Sequence, residues 1–151
     1  MITKHVPPIP VLFFTARTSL KEIGQFVGIV ARQLYAEAAK QELLPTGPLQ
    51  WVYIGADGKP DTVFALEIAL PVDGVPKESS VFLHKQLPPF DCVSVLHHGA
   101  WDHLYETYDR VIDEIGSQGK KMTGFCREQY IYMDFDKPEN NITEVQMEVS
   151  S

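Results

Sequence analysis

Apolar positions along this chain recur with two periods, and the period changes where one element gives way to the next. Residues 11–16 are dominated by Val, Phe and Leu and follow Pro7, Pro8 and Pro10, the composition of a buried strand. Leu20, Ile23, Val27, Val30, Leu34 and Ala38 then return at helical spacing. Thr18 or Ser19 is the expected N-cap of that helix, and Glu22 stands three residues after Ser19, a capping-box spacing. Alternating runs at 49–55 and 62–70 face each other across Asp57-Gly58-Lys59-Pro60 and predict a hairpin. The same order then comes again. A strand at 92–97 follows Pro88 and Pro89, and a helix carries Leu104, Tyr108, Val111, Ile112 and Ile115 on one stripe. That helix is expected to stop between Gly116 and Gly119. A second hairpin pairs 125–133 with 142–149 through the turn at 136–141.

The recurrence extends to identities. Thr46-Gly47, Tyr53-Ile54, Asp57, Glu67 and Val72 return as Thr123-Gly124, Tyr130-Ile131, Asp134, Glu144 and Val149, each 77 positions on. The opening strands align at an offset of 81 instead, which reads as one extra helical turn in the first helix. The expected fold is therefore α+β: a tandem, pseudo-twofold repeat of two β-α-β-β units in antiparallel sheets. A single domain spans 1–151, with repeat one at about 9–72, a polar linker at 73–80 holding Gly74 and Pro76, and repeat two at about 81–149 opening on a short strand at 81–83.

Alternation separates the two faces of each strand. Phe64, Leu66, Ile68 and Leu70 share one face, which should pack on the helices, and Glu67 points to the other. Val145, Met147 and Val149 likewise oppose Glu144, Gln146 and Glu148. Trp51 and Tyr53 alternate with Gln50, Val52 and Ile54, while Glu128 and Tyr130 alternate with Arg127, Gln129 and Ile131. Placing the aromatics with the acids predicts a groove on the helix-free face between the repeats, lined by Trp51, Tyr53, Glu67, Glu128, Tyr130 and Glu144. An aromatic cleft with a few acids suits a small molecule, and an organic cation in particular, through cation–π attraction and charge pairing. The plainer alternative is that strands favour Tyr and Trp everywhere and that a Glu on a sheet face is merely solvated.

Composition narrows the partners. With 13 Lys and Arg against 20 Asp and Glu, the formal charge of −7 and the lack of a basic run speak against direct nucleic-acid binding. The acidic balance favours cationic partners or simply serves solubility. No apolar run approaches the length of a membrane span and the N-terminus has no apolar leader core, so a cytoplasmic setting is expected. Cys92 and Cys126 lie far apart without CxxC spacing, which suggests neither a disulfide framework nor a zinc site. His97, His98 and His103 lack helical metal-pair spacing, and no phosphate-cradling glycine loop or Gly-x-Ser-x-Gly motif occurs, so no metal or cofactor is expected.

The second half reads His98-Gly99-Ala100-Trp101, then a helix, then Gly124-Phe125-Cys126-Arg127-Glu128-Gln129-Tyr130, then Thr143-Glu144-Val145. This resembles the GyrI-like small-molecule-binding domains, whose second repeat starts on His-x-Gly-Pro-Tyr, carries a Gly-x-x-Arg-Glu-x-Tyr strand and closes on a Thr-Glu strand. Such domains are the effector domains of bacterial MerR- and AraC-type regulators and also stand alone, including in a gyrase-inhibitory form. The resemblance covers essentially the whole chain and implies the tandem β-α-β-β fold. It also implies that Glu128 is the acid at the pocket floor, where multidrug-sensing relatives meet cationic aromatic ligands, with Tyr130 and Glu144 lining the same pocket. Trp101 stands where the family has the Tyr of its Gly-Pro-Tyr motif and Ala100 replaces the Pro, which puts the pocket mouth in doubt.

Three functions stay open at this point. The first is binding of a hydrophobic or cationic aromatic molecule by a sensor or sequestering protein; with no helix-turn-helix segment ahead of the first repeat, such a sensor would need a separate DNA-binding partner. The second, permitted by the resemblance, is hydrolysis of reactive small molecules such as cyclopropane-bearing genotoxins, with Glu128, Glu144 and Tyr130 as acid–base groups and Trp51 or Trp101 stacking on substrate. The third is a protein-interaction role such as gyrase inhibition, although the acidic charge is not concentrated in any one run. Oligomeric state is not readable from the sequence.

Overall fold

In the computed structural model, which describes residues 1–78 and 81–150, the chain forms β1 (Ile2–Val6), β2 (Ile9–Thr18), α1 (Ile29–Lys40), β3 (Leu44–Pro45), β4 (Gln50–Ile54), β5 (Phe64–Asp73), β6 (Leu83–Leu87), β7 (Phe90–His98), α2 (Leu104–Ser117), β8 (Lys121–Tyr132) and β9 (Ile142–Ser150). The expected linker at 73–80 falls in part, at Ser79 and Ser80, outside the described residues, as does the last residue of the expected domain. The strands join in the order β1-β7-β9-β8-β4-β5-β2-β6, with β3 paired to β5, and each pairing is antiparallel.

The register decides what each face carries. Leu12, Phe14, Ala16 and Thr18 of β2 stand opposite Leu70, Ile68, Leu66 and Phe64 of β5. Trp51 and Tyr53 of β4 stand opposite Ile68 and Leu66 on one side and Glu128 and Cys126 of β8 on the other. Helix α1 packs on β2 and β5, burying Val30, Leu34 and Ala38 among Leu12, Phe64, Leu66, Ile68 and Leu70. Helix α2 packs on β7, β8 and β9, with Val111 and Ile115 against Val93 and Val149. Among the described residues no helix covers the opposite face, yet Val11, Phe13, Val52, Ala69 and Leu87 are buried there, with Val6, Phe90 and Cys92 close by. Curvature of the sheet supplies that cover. The sheet bends into a half-barrel, and the links at Pro7-Pro8 and Pro88-Pro89 lead from its two outer strands, β1 and β6, back to β2 and β7.

Several expectations change. The first helix does not begin after Ser19. The Ser19 carbonyl accepts from the backbone of Glu22 and Ile23, a short 3-10 turn follows at Ile23–Phe26, and Gly28 at φ 77° breaks the path before α1 starts. Leu20, Ile23 and Val27 therefore keep their apolar character while lying ahead of α1. α1 has 12 residues and α2 has 14, so the four-residue offset is not an extra turn of α1. The strand expected at 81–83 forms instead at Leu83–Leu87, and β1 was invisible because five residues of mixed polarity give little alternation.

Gly124 illustrates how local chemistry shapes β8. The β8–β9 pairing slips between Met122 and Cys126, and Gly124 within that bulge has φ 92°. Its carbonyl accepts from the Gly55 N–H at 3.0 Å, tying the bulge to the end of β4. A Cβ there would meet no atom within 4 Å, so the cost of a side chain is conformational. Gly124→Ala is expected to lose about 1–2 kcal/mol, read as a fall in thermal midpoint of roughly 2–8 °C with a retained circular dichroism spectrum.

Candidate functional site

Helix α1 packs on β2 and β5 and α2 chiefly on β7, so the central pair, β4 and β8, lies between them. The side chains those two strands raise on the helix side therefore floor a cavity instead of a helix contact. The cavity has a volume of about 1110 Å³, room for a drug-sized molecule. Trp51, Tyr53, Cys126, Glu128 and Tyr130 form its floor; Leu20, Ile23, Phe26 and Ala31 wall it on the α1 side, and Leu104, Tyr108 and Ile112 on the α2 side. Trp101, Met133 and Phe135 stand at its mouth, with Asp102, Asp109 and Arg32 on the lining.

Glu128 is the centre of the floor. It is 6% exposed and lies directly opposite Trp51 in the β4–β8 register. Three phenols converge on its carboxylate. Tyr130 donates to Oε1 at 2.6 Å and Tyr53 to the same oxygen at 3.2 Å, while Tyr108 donates to Oε2 at 2.5 Å. Burial pushes the Glu128 carboxyl above its ordinary range, and the hydrogen bonds from Tyr108, Tyr130 and Tyr53 pull it part of the way back. Burial, together with the adjacent carboxylate, pushes Tyr53, Tyr108 and Tyr130 well above the usual phenol value, so all three remain protonated donors. The Cys126 thiol, 3.1 Å from the Tyr108 oxygen, is pushed up to about 12 by burial and by Glu128, which leaves it a poor nucleophile.

The aromatic wall is continuous. Tyr130 meets Trp51 edge-on at 6.1 Å and Trp101 at 5.4 Å, Trp101 meets Phe135 at 6.1 Å, and Trp51 lies 6.5 Å from Tyr53. Trp101 is held by its indole N–H, which donates to Thr143 Oγ1 at 3.1 Å. The buried His97 fixes the approach to it: Nε2 donates to the Ala100 carbonyl at 2.9 Å, and Nδ1 meets the Thr107 hydroxyl at 2.7 Å. The sequence departure at Ala100-Trp101 thus builds one side of the cavity mouth.

The structure brings together five of the seven residues singled out from sequence: Trp51, Tyr53, Trp101, Glu128 and Tyr130. Glu67 and Glu144 are elsewhere. Glu67 stands opposite Val52, on the helix-free face, and pairs with Lys85 Nζ at 2.6 Å. Glu144 stands opposite Gln129 on that same face and accepts from Lys4 at 2.5 Å, Ser94 at 2.7 Å and Gln146 at 2.7 Å. Trp51, Tyr53, Glu128 and Tyr130, expected on the helix-free face, line a cavity on the helix-bearing face instead. The physical reason is register. Trp51 and Tyr53 pair across from Ile68 and Leu66, so the aromatics belong with the apolar face of β5 and not with its Glu. The sequence shows Tyr108 only as part of an apolar helix stripe, although a Tyr in such a stripe needs a partner for its hydroxyl.

Burial alone would raise the Glu144 carboxyl, but hydrogen bonds from Lys4, Gln146 and Ser94 outweigh it and hold the group below the ordinary carboxylate range. A depressed folded value stabilises the fold above the unfolded pKa of about 4.3, and that contribution is lost as pH falls through the folded value. Glu144→Gln should therefore lower the thermal midpoint at pH 7, with the deficit shrinking below about pH 4. Its effect on ligand affinity should stay within about twofold, as for distant sites.

Comparison with known proteins places this architecture. A family model described as a GyrI-like small molecule binding domain matches residues 2–150. No curated protein sequence matches the chain. Among solved structures, EcmrR in its DNA complex matches at TM-score 0.83 and 19% identity over 99% of this chain and 57% of EcmrR. The chain thus spans little more than half of that regulator's length, and it matches 96% of the separately solved EcmrR C-terminal domain at TM-score 0.81 and 18% identity. A hydrolase from Listeria innocua matches at TM-score 0.70 and 16% identity, over 99% of this chain and 91% of that one. SAV2435 bound to tetraphenylphosphonium matches at TM-score 0.66 and 15% identity, over 99% and 93%. At these identities the likeness is one of fold.

Proposed function

The chain belongs to the GyrI-like small molecule binding domain family, and from that premise we propose that the cavity over β4 and β8 holds a lipophilic aromatic molecule carrying one positive charge. One observation carries this reading: a buried carboxylate, Glu128, ringed by three phenols on the floor of an aromatic cavity. Tyr and Trp faces attract a cation in a desolvated site, and the carboxylate supplies the balancing charge. SAV2435, solved with tetraphenylphosphonium, is a relative of the same fold that holds such a compound.

The two sides of the cavity differ. We read the chain as a tandem of β2-α1-β4-β5 and β7-α2-β8-β9, a reading supported by the symmetric strand order about the β4–β8 pair. At the 77-residue offset Glu128 answers to Trp51 and Tyr130 to Tyr53. The acid thus belongs to one copy only, which gives a guest a charged end near β8 and an apolar end toward Leu20, Ile23 and Phe26. The role that follows is that of a sensor or sequestering domain, working in the cytoplasm and, where it regulates transcription, together with a DNA-binding segment.

The test is a titration with tetraphenylphosphonium and with neutral triphenylphosphine oxide, followed by Trp fluorescence. Trp51 and Trp101, the only two tryptophans, both line the cavity. Saturable quenching by the cation is expected, tighter at pH 8 than at pH 5. The sign follows from Glu128: its raised value leaves more of it protonated in the free protein, and a cation favours the ionised form, so binding releases protons. Calorimetry in buffers of different ionisation enthalpy measures that release. Absence of saturation by either compound would overturn the reading.

A second reading, hydrolysis, is favoured by the same carboxylate–phenol set and by the fold shared with the Listeria innocua hydrolase. In it Glu128 takes a proton from a water whose oxygen bonds to a cyclopropane carbon as a ring C–C bond breaks; the released carbon takes a proton from the Tyr130 or Tyr108 phenol, and Glu128 then returns its proton to that phenolate. Glu144 has no part, since it faces the other side of the sheet. Mass spectrometry of bound and released compound separates turnover from binding.

A further inference from the structure

Behind the cavity floor, on the helix-free face, Gln50 of β4, Arg127 of β8 and Gln146 of β9 lie side by side. Arg127 and Gln146 are direct cross-strand partners, and Gln50, two residues from the partner of Arg127, is its diagonal neighbour. The three are 2%, 4% and 1% exposed. Each presents one buried atom without a protein partner: Gln50 Oε1, Arg127 Nη1 and Gln146 Oε1. Such groups are costly when nothing meets them.

Hydrogen bonds fix two of the three orientations. Gln146 Nε2 donates to Glu144 Oε2 at 2.7 Å, and a carboxylate only accepts, so the free end of that amide is its oxygen. Arg127 Nη2 donates to the Pro88 carbonyl at 2.7 Å and its guanidinium lies 4.0 Å over the Phe90 ring, which aims Nη1 away from both. The carboxylates that act on Arg127 or stand beside Gln146 have other partners: Glu148 accepts from Thr123 at 2.7 Å, Glu144 from Lys4 and Ser94, and Glu67 from Lys85. A group that meets all three atoms must accept from Nη1 and donate to amide oxygens. An anion accepts but cannot donate to the amides. A cation donates but is repelled by the guanidinium. A water molecule does both, making the three hydrogen bonds typical of a buried water.

We propose that Gln50, Arg127 and Gln146 form a second, water-sized polar site that holds one ordered water on the back of the strand carrying Glu128. The Pro88 carbonyl borders the site through its hydrogen bond from Arg127 Nη2, and the sheet itself separates the site from the cavity. A guest in the cavity leaves it occupied.

A high-resolution crystal structure of the wild-type chain, with a parallel bromide soak, tests this directly. The expected result is a single well-ordered water within hydrogen-bond distance of Arg127 Nη1, Gln50 Oε1 and Gln146 Oε1, with no anomalous bromide peak. Bromide at Arg127 would make it an anion site and overturn the proposal. So would direct pairing of Gln50 or Gln146 with the guanidinium. Magnetic relaxation dispersion of water adds a solution readout: the wild type should show one more long-lived water than Gln50→Leu/Gln146→Leu. Equal counts in two folded proteins would sink the idea. Should that variant fail to fold, the wild-type density decides alone.

Discussion

Glu128→Gln should weaken tetraphenylphosphonium binding about 30-fold while changing the affinity for neutral triphenylphosphine oxide by no more than about threefold, the loss of about 2 kcal/mol expected when one partner of a desolvated charge interaction is removed. The carboxylate lies at the floor of an aromatic cavity and accepts from Tyr53, Tyr108 and Tyr130. Gln keeps the shape and one acceptor oxygen but carries no charge. A cation therefore loses its balancing charge, whereas a neutral guest keeps the same walls. The substitution also changes the pH dependence of stability. Because the folded Glu128 value is raised by burial, its contribution is fully present below the unfolded pKa of about 4.3 and is lost as pH rises through the folded value. The thermal midpoint of Glu128→Gln relative to wild type should consequently climb between about pH 4 and pH 8. Paired titrations with the two compounds, and melts across that pH range, check both statements. Equal weakening of cation and neutral guest would show that the acid shapes the cavity without reading charge.

The residue patterns disclosed the elements better than their packing. Period-two runs located both hairpins, and the stripe at Leu104, Tyr108, Val111 and Ile115 located α2, because each pattern is set within a few residues by burial on one side. Which faces coincide is a different question, decided by cross-strand register. One register step separates Trp51 opposite Glu67 from Trp51 opposite Ile68, and it moves every aromatic to the other side of the sheet. The pairing of β4 with β8 and of β5 with β2 depends on contacts far apart in sequence, and no local pattern carries it. Glu128 was legible because an acid alternating with Arg127 and Gln129, inside a recognisable strand motif, stood out. Tyr108 was not, since its hydroxyl meets Glu128 from another element, 20 residues away.

Trp51→Ala should do more damage than any other single change to the cavity. Trp51 is buried in the floor, meets Tyr130 edge-on at 6.1 Å and Tyr53 at 6.5 Å, and stands directly opposite Glu128. Its removal leaves a void at the seam between β4 and β8, and truncations of this kind cost about 3–5 kcal/mol. Urea unfolding followed by Trp101 fluorescence should show that loss as a lower midpoint with little change in slope. Binding should fail for the cation and the neutral compound alike, because both lose the same aromatic wall. This contrasts with Glu128→Gln, which separates them. Trp51→Phe supplies the control for a variant that folds poorly: a smaller ring refills part of the space, stability returns most of the way, and affinity for both compounds drops together by roughly tenfold, an aromatic contact's worth of about 1.4 kcal/mol. A Trp51→Ala protein that unfolds like wild type and still binds both compounds would mean that the guest does not sit on the floor of this cavity. The aromatic seam between β4 and β8 would then be core alone.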